Sequence, residues 1–454
     1  MTISRFKVEL RPLLTLVLPL VLTGIAQSAP FFIETAFLAR LGENILAAGA
    51  LASWLYGILI VIAFGTMSSI NILVAHKHGA GDQTGISYVF RDGFILAFLI
   101  SIPSVILLWN IAPVFLLFGQ SAEIVTLATA YLHPLAWGVT ANILLIVFLE
   151  LLIGIAQARE TLIFNLLAVV FNIIASYLLI FGKFGFPKLG IAGAGWGTSI
   201  GNFLAVIILA AFVFGRKIYR GYCKNLFSLQ GKSYVGELVR VGIPMGIMYC
   251  FEVAYFLALT LMMGTISPLW MAANQIVMQY MGSLTGVVFS IAQAITVRMS
   301  HLLGERNMKA ARTVGYLGGI IALGYILVIN LFYLFTPEWL IAVDLDVSAA
   351  ANQRLIVYIK SLFIGAAFFQ VFEAIRIALF GALRAYKDTR FTLYASVLSF
   401  WGIALPLGYG GLHYFHYSGV WLWWSMGIGV LVSVVLLAWR FKVISASHNY
   451  DYVE

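Results

Sequence analysis

Charge is scarce in this chain. Asp, Glu, Lys and Arg make up 10 % of its 454 residues and hydrophobic residues 62 %, whereas soluble domains carry roughly 25 % charged residues. That composition excludes a water-soluble fold. Polar sequence is equally short: the longest polar gap, about 216–236, falls below the roughly 50 residues a soluble domain needs. Cysteine occurs twice, Cys223 in a basic loop and Cys250 in an apolar run, so no disulfide framework is expected. No HExxH, GxSxG or Walker pattern occurs, and the seven His residues lie at span ends or in loops. Gly193-Ala-Gly195-Trp-Gly197 opens an apolar run with no preceding strand, so it is not a phosphate loop. An enzyme is therefore not expected, nor any cofactor. Without a nucleotide site, active transport would have to draw on an ion gradient.

Long apolar runs are abundant. A membrane span needs about 20 apolar residues, and twelve such runs occur, near 13–38, 46–75, 92–118, 124–156, 162–182, 190–215, 237–264, 270–300, 312–335, 350–383, 391–410 and 417–440. Runs this long cross a bilayer as helices. The first run is too long for a cleaved signal core and reads as a retained span. The net charge of +9 does not point to nucleic acid, because the basic residues alternate between loops. Of 27 Lys and Arg, 21 fall on one side, including Arg5, Lys77, Arg159, Arg216, Arg306, Arg384 and Arg440. This bias predicts both termini in the cytoplasm. The lipid bilayer is the expected partner, and a monomer the expected state.

The chain repeats itself. Leu18-Pro19-Leu20 returns as Ile243-Pro244-Met245, and His78–Asp82 returns at the same offset as Leu303–Asn307. Gly154–Gln157 returns as Gly381–Arg384, and Gly193 as Gly419, at nearly that offset. Two parallel six-span copies are a transporter layout, with a substrate site expected between them. The predicted lobes are 1–215 and 237–454, joined by a cytoplasmic linker at 216–236.

Against this apolar background a few charges stand out. Glu373 and Arg376 lie inside the tenth run, where a charge costs at least about 2.5–3.5 kcal/mol. At i and i+3 they share a helix face and can pair, which would make them a structural salt bridge. Glu252 lies well inside its run, past Arg240, and Glu373 equally far before Arg384, about 18 and 16 Å deep by helical rise. Two carboxylates at one depth can hold a cation between them, or one can stay protonated. Glu34 lies one helical turn past Pro30; a proline there removes the hydrogen bond to Ala26 and kinks the helix. A carboxyl beside a kink suits a protonation switch, the bland alternative being an interfacial pair with Arg40. Glu150 reads as a snorkelling or paired structural residue. Asn142, Asn172, Asn202, Asn274, Gln275, Gln279 and Gln293 read as interhelical bonds and cavity lining. Tyr249, Phe251 and Tyr280 are candidates for an aromatic cavity wall.

Several stretches together resemble the multidrug and toxic compound extrusion (MATE) family, NorM-like branch, over nearly the whole chain. They are Phe31-Phe-Ile-Glu34-Thr-Ala-Phe-Leu-Ala-Arg-Leu-Gly42, Ala75–Asp82, Pro187–Trp196 and Gly381-Ala-Leu-Arg-Ala-Tyr-Lys-Asp-Thr389. The resemblance implies two six-helix bundles forming a V-shaped cleft. It implies export of amphipathic, often cationic compounds in exchange for Na+ or H+, across a bacterial inner membrane. By position it implies a Na+-type site at Glu252 and Glu373, proton or cation uptake at Glu34, and a substrate contact at Gln275; the residues themselves add Tyr249, Tyr280 and Arg376 as candidates for the cleft. Glu stands where the family pattern has Asp at 34 and 373, and Arg376 adds a fixed charge beside Glu373 that would compete with a metal ion.

A flippase for lipid-linked saccharides is the neighbouring alternative. Its anionic pyrophosphate would need several cavity cations, and only Arg376 offers one. An intramembrane enzyme would need a nucleophile–base pair, and a channel would need no substrate-sized cleft. The expected mechanism is rocker-switch exchange.

Overall fold

In the computed structural model the described residues are 3–226, 228, 230–347 and 349–446; both chain ends fall outside them. The protein is an all-helical, multi-pass membrane protein. Among the described residues, twelve helices are long and apolar enough to cross a bilayer: Val8–Ala39, Glu43–Gly79, Gln83–Trp109, Ala122–Gly154, Ala158–Phe181, Ile191–Gly215, Val235–Ile266, Pro268–Gly304, Met308–Phe335, Gln353–Ala385, Thr389–His413 and Val420–Ala446. They form two compact units, Leu18–Gly246 and Met1–Val17 with Ile247–Glu454, called here the N-terminal and C-terminal units.

The repeat is built into the turns. The third and ninth spans open on the same cap at the repeat offset: Asp82 accepts from the Gly85 N–H at 2.7 Å, and Asn307 from the Ala310 N–H at 3.2 Å. Each satisfies a donor that a helix start leaves free. The residue before each cap is left-handed, Gly81 at φ 70° and Arg306 at φ 60°. Two of the four sequence markers slip in register. The fourth and tenth spans end at Gly154 and Ala385, so Gly154 matches Ala385 and Glu150 matches Gly381. The sixth and twelfth open at Ile191 and Val420, so Gly193 and Gly419 are not equivalents. Gly-containing tripeptides recur too often in such a chain to fix register alone.

In the N-terminal unit the fifth and sixth spans meet backbone to backbone. A Cβ on Gly193 would lie 2.5 Å from the Leu179 carbonyl oxygen, on Gly197 2.3 Å from Ser176 Cα, and on Gly201 2.7 Å from Asn172 N. The glycine run thus works as a small-residue packing seam, the usual way membrane helices approach closely. Glu150 does not snorkel: it is 1 % exposed and accepts from Ser68 Oγ and Asn71 Nδ2. Its partners sit where the second span breaks, at Ser68 between Glu43–Met67 and Ser69–Gly79.

Asp92, wholly buried in the third span, accepts from the Tyr234 N–H and from Ser233 Oγ. Its neighbour Arg91 pairs with it at 2.7 Å and donates to the carbonyls of Ser228 and Lys232. These bonds strap the segment before the seventh span onto the third. Asp92→Ala takes the ion-pair partner from Arg91 and strands the Tyr234 N–H, and should cost roughly 3 kcal/mol; a thermal melt of the detergent-purified protein that does not move would refute this.

The C-terminal unit packs around Tyr255, Met263, Phe363, Phe369, Phe400 and Trp423. Its eleventh span is interrupted by a π-helix, Leu398–Ala404. Pro406 follows; its ring crowds the Gly402 carbonyl and it donates no backbone bond, so the helix widens just before it. Such widenings often accompany functional sites.

Candidate functional site

Arg376 is the centre of the C-terminal unit's charge cluster. Its Nε and Nη2 donate to Glu373 Oε2 and Oε1 at 2.8 and 2.6 Å. Its Nη1 donates to Glu252 Oε1 and to Ser396 Oγ, both at 2.7 Å. The Ser396 hydroxyl donates in turn to Glu252 Oε1 at 2.7 Å. The Phe400 ring, in the π-helix, lies 5.2 Å from the guanidinium. All four polar side chains are buried, Arg376 at 2 % exposure. The expected pairing of Glu252 with Glu373 is present, but the guanidinium stands between them. The i,i+3 bridge from Glu373 is present too, as one arm of a larger network.

The N-terminal unit holds its acid differently. Glu34 faces a cavity of about 470 Å³ whose walls are mainly apolar. The Thr198 and Ser176 hydroxyls donate to its Oε1 at 2.6 and 3.1 Å, and the Tyr131 hydroxyl to its Oε2 at 3.1 Å. No ion pair with Arg40 is formed among the described residues. Hydroxyls both donate and accept, so this shell can serve an ionised carboxylate as acceptor or a protonated one as donor. The three partners come from the fourth, fifth and sixth spans, and the glycine seam sets their spacing: Gly197 precedes Thr198 and abuts Ser176. Pro30 also lines the cavity, in a helix assigned without interruption from Ile3 to Ala39.

Of the amides singled out in the sequence, Asn142, Asn172, Asn202 and Asn274 bond to neighbouring helices, while Gln275 and Gln279 lie exposed. Asn142 donates to the Tyr56 hydroxyl at 2.9 Å, Gln27 to Asn165 at 3.1 Å, and Asn172 to Asn202 at 3.3 Å; all six residues line the Glu34 cavity. Gln275 lies exposed on its helix, and the buried amide is its neighbour Asn274, which accepts from Trp423 Nε1 at 3.0 Å. Tyr249 is buried between Phe289 and Phe380. Tyr280 donates to the Leu340 carbonyl at 2.7 Å.

Known proteins share this fold. The MatE family model matches residues 19–178 and again 244–410. The chain belongs to the MatE family. The two MatE matches begin at Pro19 and Pro244, the pair of prolines that marks the repeat; Glu34 lies in the first, and Glu252, Glu373 and Arg376 in the second. Among MatE relatives, a probable multidrug resistance protein NorM of Mesorhizobium japonicum is 32 % identical over 95 % of this chain and 93 % of its own length. Multidrug resistance protein PmpM of Pseudomonas aeruginosa is 31 % identical over 89 % and 84 %. These relatives bear transporter names, not enzyme names. The fold matches that of a eukaryotic MATE transporter, AtDTX14, with a TM-score of 0.83 at 21 % identity, covering 98 % of this chain and 97 % of that one. A transporter of the MOP superfamily from Pyrococcus furiosus superposes with a TM-score of 0.85 at 18 % identity over 96 % and 95 %.

Proposed function

We propose that this protein is a multidrug exporter that exchanges cationic, amphipathic organic compounds for protons by alternating access, with Glu34 as the group that takes up the proton. It would lie in a bacterial inner membrane with both termini in the cytoplasm, as the basic-residue bias predicts. The observation that carries the reading is Glu34 itself: a carboxyl inside an apolar cavity, ringed by three hydroxyls that serve it in either protonation state.

Among the described residues Glu34 has no cationic partner in its cavity, so its charge is left to be met by something mobile. An ionised Glu34 attracts an organic cation; a protonated one does not, and the two loads alternate. The mainly apolar wall suits the body of an amphipathic compound, and the carboxamides supply orienting hydrogen bonds. No Lys or Arg is among the residues lining this cavity, which weighs against lipid-linked pyrophosphates as cargo. The names of the NorM and PmpM relatives agree with drug efflux.

The deciding experiment uses proteoliposomes loaded with ethidium. An inward proton gradient should accelerate ethidium loss, and an inward Na+ gradient of equal size at uniform pH should not. Efflux driven by Na+ alone would sink the proton assignment. Failure of both gradients to drive any organic cation would sink the exporter reading.

A further inference from the structure

The C-terminal cluster has a property that the exporter reading does not need and that stands apart from Glu34. Two carboxylates buried side by side demand a positive charge between them. Here that charge is part of the chain. Arg376 occupies both oxygens of Glu373 and the facing oxygen of Glu252, and it occupies Ser396 as well. We propose that Arg376 is a tethered cation that closes the Glu252–Glu373 pair to metal ions, so that this unit has no Na+ site.

Ligand supply supports this. A hard cation is held by several oxygens at once. Of the four carboxylate oxygens in the pair, three accept from the guanidinium, leaving Glu252 Oε2. One oxygen can take a proton or a protonated amine; it cannot replace the shell of a metal ion. The guanidinium also has little freedom to leave. It is bidentate on Glu373, the strongest geometry such pairs have, and it is anchored from a residue only one turn away on the same helix.

The internal repeat shows what the position is like without the arginine. The fourth and tenth spans end at Gly154 and Ala385, and the fifth and eleventh start at Ala158 and Thr389. Both pairs have one offset, slightly longer than that of the earlier spans. Aligned on these span ends, Glu373 corresponds to Asn142, Arg376 to Leu145 and Ser396 to Asn165. Aligned on the earlier caps, Asp82 with Asn307, Glu252 corresponds to Gln27. The correspondence agrees with the contacts: Gln27 bonds Asn165 as Ser396 bonds Glu252. The N-terminal copy therefore keeps the same scaffold with neutral amides and an aliphatic side chain where Arg376 sits. Leucine fits this frame, so Arg376→Leu removes the tethered charge and leaves two carboxylates with nothing between them.

The test measures binding of radioactive Na+ to purified protein, and the melting temperature in Na+ against choline at fixed ionic strength. Wild type should show no saturable Na+ binding and no Na+-dependent melting shift. Arg376→Leu should bind Na+ saturably and melt about 5 °C or more higher in Na+; the gain should vanish in the double variant Arg376→Leu/Glu373→Gln. Saturable Na+ binding by wild type that Glu373→Gln removes overturns the proposal. So does a folded Arg376→Leu protein that gains no Na+ binding. If Arg376→Leu does not fold, Arg376→Gln takes its place, and the wild-type measurement decides in either case. Wild-type Na+ binding removed by Glu34→Gln but kept in Glu373→Gln would instead count against proton uptake at Glu34, while agreeing with a closed C-terminal pair.

Discussion

Glu34→Gln should abolish coupled export, with proton-driven ethidium efflux falling to the leak rate of protein-free vesicles. Glutamine has the size and shape of glutamate and still accepts from Thr198 and Ser176 through its carbonyl oxygen, so the fold should survive. The bond from Tyr131 weakens, a change of about 1 kcal/mol. What glutamine cannot do is bind a proton or carry a negative charge, and both halves of the exchange cycle need one of those. Glu34→Asp separates chemistry from reach. Aspartate keeps the acid but is one methylene shorter, so it cannot hold Thr198, now at 2.6 Å, and Tyr131 together. It should retain part of the efflux. The measurement is ethidium efflux per mole of reconstituted protein, alongside a melting curve for each variant. Full efflux in Glu34→Gln would remove Glu34 from the mechanism; a collapsed melt would show that the residue is structural.

The second large effect concerns Gly197. A Cβ there meets Ser176 Cα and N at 2.3 and 2.4 Å. Those are backbone atoms, so no side-chain rotation relieves the clash, and the fifth and sixth spans must separate. Overpacking of this kind costs about 1–3 kcal/mol, and valine, with two further methyls, belongs at the upper end. The functional cost should exceed the stability cost. Separation moves Ser176 away from Thr198, and the two together hold Glu34 Oε1. Gly197→Ala is therefore expected to lower both melting temperature and efflux, and Gly197→Val to lower them further. Gly319, in the ninth span, is the control. It has nothing within 4 Å of a built Cβ, so Gly319→Ala should leave the melt unchanged or raised by up to about 1 kcal/mol. Equal behaviour of Gly197→Ala and Gly319→Ala would refute the packing seam.

The two units solve one problem in opposite ways. Each buries an acid in a membrane span, where an unmatched charge is expensive. The C-terminal unit matches its pair internally with Arg376. The N-terminal unit surrounds Glu34 with hydroxyls and leaves the matching charge to whatever enters the cavity. Because the two halves share a scaffold, this division is written in a few side chains: Leu145 against Arg376, Asn142 against Glu373, Gln27 against Glu252.

The amino-acid sequence by itself determined the class of protein, the twelve spans and the twofold repeat. Each of those is local: the length of an apolar run, or a motif that returns after a fixed interval, is visible without knowing what packs on what. It also determined which residues were anomalous, because a charge inside an apolar run is costly wherever the run is placed. Tertiary structure decided what those residues touch. Arg376 was visibly one turn from Glu373, but its bond to Glu252 joins two different spans, and helix rotation sets which of several neighbouring side chains faces inward. The same rotation made Asn274 the buried amide and left Gln275 exposed. It brought Tyr131, Ser176 and Thr198 around Glu34, for a serine or threonine in a membrane helix carries no mark of its partner until the helices are packed.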